Sequence, residues 1–226
     1  MRRVWLFLAA AAMASGLQAS AQTTHGPEFV FDYSNPGLSP SHWSLALHLD
    51  GSGHFTSETG NSGTSKQDAA AGDEFTVPSV NRDIQVSPKF AAGVFDTAQR
   101  HAWFNQQCES HMKVAFQGSK KLSFSGPEGD GSCTYNYSKD KDIEALGDSM
   151  QAVAMTILEG VKLEMLLQHD PLGLDKEISS LANAAHDGRA QQICTISGIL
   201  ERLAEDDHVM DMVRKQARLL LAQANS

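Results

Sequence analysis

The residues whose types and spacing come nearest to chemistry are "HLDGSGHF", His48 to Phe55, where two imidazoles and a carboxylate flank a glycine-rich turn. His48, Asp50 and His54 could hold a transition metal, because imidazole nitrogen and carboxylate oxygen are donors such ions take. As a calcium loop the stretch fails. Counted from Asp50, the sixth position is Phe55, where the tight turn needs glycine, and the twelfth is Asn61 rather than Glu. As a hairpin it works if the apolar face continues across the turn. Leu49 then opposes Phe55, Gly51-Ser52-Gly53 forms the loop, Asp50 faces His54, and His48 lies one pair away on the same polar face. With no fourth ligand in the pattern, the turn is expected to be structural, and no metal or other cofactor is expected.

Other constellations are thinner. "SKDK" (Ser138 to Lys141) fits the Ser-x-x-Lys nucleophile pattern, but so does "SHMK" (Ser110 to Lys113), and the companion Ser-Asp-Asn and Lys-Thr-Gly elements are absent. Cys108 with His101 and His111 could suggest a thiol–imidazole pair, which a disulfide at Cys108 would abolish. "NYS" (Asn136 to Ser138) is a glycosylation sequon by pattern. No Gly-x-Ser-x-Gly elbow, His-Glu-x-x-His pair or phosphate loop occurs. An enzyme reading, as a small secreted hydrolase, would have to draw on His48, Asp50, His54 and His111.

The first 21 residues read as an address. Arg2 and Arg3 precede the apolar run "VWLFLAAAAMA", and "ASA" (Ala19 to Ala21) supplies the small residues of a cleavage site, so residues 1–21 are expected to be a secretory signal peptide. Beyond it no apolar run approaches the ~18 residues of a membrane span. The chain has 18 Lys and Arg against 27 Asp and Glu, so without Arg2 and Arg3 the net charge is −11. Nucleic acids and anionic membranes reward clustered Lys and Arg, and neither is an expected partner. Three cysteines remain for an oxidising compartment. Cys108 and Cys133, each placed just before a strand pattern, are expected to pair, leaving Cys194 as a buried thiol in a helical pattern.

Two stretches are expected to position these residues. Residues 22–138 are β-rich with one helix. "FVFDY", "HWSLALHL", the segment from His54, "VNRDIQVS", "HMKVAFQ", "KLSFSG" and "CTYNYS" read as strands, and "GPEGDGS" as a long connection. Residues 57–74 are small and polar without period, so they read as a loop. Ser87 and Pro88 open a helix whose apolar line is Phe90, Val94, Ala98 and Ala102. Residues 139–226 form the helical region. Ile143, Leu146, Met150, Val153, Ile157, Val161 and Met165 mark one helix of about 28 residues, followed by helices at 176–186, 189–204 and 208–224.

Within this tail, "ILERLAEDDHVMDMVRKQARLLL" joins an apolar helix, an acidic turn and then Val-x-x-x-Val-Arg-x-x-Ala. In that respect the last quarter of the chain resembles HEAT-type helical repeats, and the resemblance implies protein binding. Met210, Met212 and Leu221 lie off the main apolar lines, and flexible methionines suit an adaptable contact. The expectation is therefore an α+β fold, an antiparallel sheet with one packed helix followed by a long helix and a short helical tail. Its expected function is non-enzymatic binding or assembly with another exported protein.

Overall fold

The computed structural model describes residues 26–58 and 78–224. The expected leader, and residues 59–74 of the expected loop, lie outside the described residues. Six strands form one antiparallel sheet: β1 (Glu28–Ser34), β2 (His42–His48), β3 (Ser52–Ser57), β4 (Val80–Gln85), β5 (Ser119–Gly126) and β6 (Gly129–Tyr135), in the order β4-β3-β2-β1-β5-β6. The fold is α+β. Strict alternation in β1 and β2 sends Phe29, Phe31, Tyr33, Trp43, Leu45 and Leu47 into the core and leaves the alternate residues on an outer face.

Helix α1 (Pro88–Arg100) starts where the sequence predicts, with the Ser87 hydroxyl accepting from Phe90 N at 3.3 Å and proline in the first turn. A left-handed turn follows at Ala102, Trp103 and Phe104, with φ of 52°, 57° and 64°. Each such residue costs about 1–2 kcal/mol. The turn persists because it buries Phe104 completely and stacks Trp103 on Phe124 at 4.4 Å. It also packs along the free edge of β6, where the Cys108–Cys133 disulfide, with a Cα–Cα distance of 5.7 Å, pins the chain.

Helix α2 (Lys141–His169) runs 29 residues, about 43 Å at ~1.5 Å per residue. Asp140 caps it by accepting from Asp142 N and Ile143 N. One face (Ile143, Leu146, Met150, Val153, Ile157, Val161) closes the core over the sheet. Leu163 and Leu166 belong to a second core with α3 (Leu174–His186), α4 (Ser197–Glu205) and α5 (Asp211–Ala224). At Gly160 this second layer comes so close that an added Cβ would lie 2.4 Å from the Ile196 side chain.

Several expectations need correcting. Phe55 pairs with Leu45, not Leu49, and β2 ends at His48. The turn closes earlier because Gly51, at φ +84°, donates its N–H to His48 O, and Asp50 Oδ1 accepts from Ser52 N. The shift is an even number of residues, so the faces are kept. "HMKVAFQ" is not a strand. β5 ends at Gly126 as expected but starts at Ser119, and β6 starts at Gly129 inside the expected long connection, so only Pro127 and Glu128 join them; β6 ends at Tyr135 rather than Ser138. The helix expected from Arg189 begins only at Ser197, after a 3-10 turn at Ile193–Ile196, because Gln192 is left-handed at φ 54°. The last helix starts at Asp211 rather than His208, and the first of the three tail helices, α3, starts at Leu174 rather than Lys176.

Candidate functional site

On the outer sheet face the histidines do not converge. His54 Nδ1 lies 2.7 Å from Asp83 Oδ1 on the adjacent β4, and His48 Nε2 lies 4.0 Å from Glu28 Oε1 on β1. Asp50 has left the strand. Its Oδ1 takes Ser52 N at 2.9 Å and Ser52 Oγ at 2.6 Å, and these hydrogen bonds hold its carboxyl below the usual range. His111 sits in a separate loop after Cys108. Among the described residues, no group of three or more His, Cys, Asp and Glu side chains is arranged to hold a metal ion. Ser138 is buried, and its hydroxyl accepts from Asp140 N.

A different feature stands out, in the segment between the disulfide and β5. Residues 111–117 are all exposed, and they include Met112 (51%), Val114 (37%) and Phe116 (61%). Both ends of this loop are tied down. At the first, Cys108 is bonded to Cys133 inside β6, and Ser110 N donates to Tyr137 O at 3.0 Å. Glu109 accepts from Asn136 N at 2.7 Å and from His111 N at 3.2 Å, and its carboxyl is held below the ordinary range, most strongly by the Asn136 N–H. At the second end, Tyr33 Oη donates to Gln117 O at 2.7 Å. Asn136 then clamps the loop with both ends of its amide, accepting from Gln117 N at 2.6 Å and donating to Ala115 O at 3.1 Å. The sequon asparagine is thus consumed by the loop it holds. Inside the loop Val114 N donates to Met112 O at 2.9 Å, which tightens the tip.

The tail residues divide. Met210 and Met212 are 43% and 65% exposed, whereas Leu221 packs partly into the second core. Leu219 is exposed on α5 seven residues beyond Met212, on the same face. Sequence reasoning missed the loop because alternation of Met112, Val114 and Phe116 is the signature of a strand. Only the disulfide expected at Cys108 hinted that the segment was anchored.

The chain matches no protein-family model and no curated protein. The likeness of its tail to HEAT-type repeats therefore stays a likeness of pattern.

Proposed function

We propose that the protein is exported and acts by binding another exported protein, with loop 111–117 as the main contact and no catalytic step. The observation that carries this reading is the exposure of Met112, Val114 and Phe116 on a loop fixed at both ends. Large apolar side chains held in water forgo about 25 cal/mol for each Å² they could bury. A clamped loop has already lost its conformational freedom, so binding pays less ordering entropy. An aromatic side chain surrounded by smaller apolar ones is the usual make-up of an interface hot spot.

Charge specifies the partner further. Lys113 sits within the apolar tip, between Met112 and Val114, on a chain that is otherwise strongly acidic. That combination suits a protein pocket with an apolar floor and an acidic rim. It suits an anionic lipid surface poorly, since the rest of the molecule would be repelled. The disulfide fits an oxidising compartment, and among the described residues no helix is long and apolar enough to cross a membrane.

The test compares capture of the same partner from the exporting compartment by wild type and by Met112→Ser with Phe116→Ser. Because both side chains are exposed, melting should shift by no more than about 0.5 kcal/mol in stability while capture is lost. Exposure of Met210 and Met212 supports a second reading, in which the tail makes the contact. That reading predicts that Met210→Ser with Met212→Ser abolishes capture and the loop pair does not. Equal capture by wild type and loop variant rules out the loop, and binding to neutral or anionic vesicles in place of protein rules out the partner class.

A further inference from the structure

Away from the loop, a groove of about 550 Å³ lies between α1 and the first turns of α2. Its size falls within the usual range for small-molecule sites, about 300–1,000 Å³. Phe90, Val94 and Leu146 give it an apolar lining. Gly93 lies in the middle of α1, where an added Cβ would meet nothing within 4 Å, so the absent side chain leaves the groove open. A mid-helix glycine is unfavourable by about 1 kcal/mol relative to alanine, and nothing in the packing of α1 requires it.

The two ends of the groove differ in charge. At one end Arg100 is already neutralised, by Asp96 at 2.9 Å and by Asp142 on α2. At the other end Lys89 makes no ion pair or hydrogen bond among the described residues. Beside it Gln192 uses Oε1 to accept from Ser87 N at 2.8 Å, which points its amide N–H₂ away from that bond as a further donor. Lys89 also stands in the first turn of α1, where the helix dipole adds positive potential. From Lys89 to Arg100 the groove follows α1 for about 16 Å at ~1.5 Å per residue.

We propose that this groove binds a medium-chain aliphatic carboxylate, its chain along Phe90, Val94 and Leu146 and its headgroup at Lys89 and Gln192. The bound acid sits with its charged end at Lys89, unpaired among the described residues, and its tail toward the Arg100–Asp142 pair. The site shares no residue with loop 111–117, so it stands or falls independently of the protein-binding reading.

The experiment titrates the full exported chain with dodecanoate below its micelle concentration, with dodecylamine as the control of the same chain and opposite head. Wild type should bind dodecanoate and bind dodecylamine at least about tenfold more weakly. Lys89→Glu should weaken dodecanoate by about tenfold, and Gly93→Leu should abolish it without lowering the melting temperature. Lys89 is exposed, so its variant folds and reads the headgroup contact directly even if Gly93→Leu does not fold. Absence of dodecanoate binding, equal binding of the amine, or unchanged affinity in Lys89→Glu overturns the proposal.

Discussion

Lys120 is 2% exposed on the core side of β5, with Nζ 2.9 Å from Glu144 Oε1 on α2 and 5.3 Å from the Tyr135 ring centroid. Glu144 also accepts from Ser138 N through its other oxygen, so one carboxylate joins the end of the sheet to the start of α2. Removing one partner strands the other as a buried charge. Glu144→Leu should therefore destabilise by about 3–5 kcal/mol, while Lys120→Met combined with Glu144→Leu should recover most of that loss. Urea unfolding of the two variants checks this, and equal loss in both would refute it. A second, partly buried group makes stability depend on pH. Burial, a hydrogen bond to Glu177 and the charge of Glu177 push Glu159 up to about 8. Burial alone would raise Glu177 too, but hydrogen bonds from Glu159 and Lys162 outweigh it and hold it low. Because the folded protein holds the Glu159 proton more tightly than the unfolded chain, this contribution is complete below about 4.5 and is lost as pH rises through about 8. Stability should fall across that window in wild type, and Glu159→Gln should flatten the fall, as read by chemical denaturation at a series of pH values. Neither pair was legible in the sequence, because each joins residues from different elements. The same is true of His54, whose carboxylate neighbour turned out to be Asp83 on another strand rather than Asp50 nearby.

At the scale of elements, period and capping carried most of the information. The faces of β1 and β2, the start of α1 at Ser87 and the length of α2 all follow from residue types a few positions apart. Errors arose where turn chemistry or a tertiary contact overrode the apolar spacing. In the β2–β3 hairpin the side chain of Asp50 and the positive φ of Gly51 chose the turn, so Leu49 became exposed (52%) instead of continuing the apolar face. Before α4, Thr156 on α2 donates to Gln191 O at 2.8 Å and holds the chain out of the helix that its apolar spacing suggested. The loop at 111–117 alternates like a strand but does not pair with β6, whose edge the left-handed turn and the disulfide already occupy. Gly93 gives an element-scale prediction: with open space at its Cβ, Gly93→Ala should stabilise α1 by about 0.5–1 kcal/mol in thermal or urea unfolding. A loss of stability would contradict the open space at this position.

Across the whole molecule, α2 serves as a shared wall between the sheet core and the helical core, and Arg82 on edge strand β4 is tied to Glu164 on α2 at 2.9 Å. The two cores therefore meet through one helix, while the anchored loop offers Phe116 to solvent. The central claim is that this loop, rather than the tail, meets the partner. Its most direct test replaces Phe116 with benzoylphenylalanine and irradiates cells or secreted fractions in which the protein is at its natural destination. A matched protein carries the same group at Leu219, exposed on α5. The account predicts one dominant adduct to another exported protein from position 116 and none of that species from position 219. The same adduct from position 219 alone, or no adduct from position 116, would contradict it.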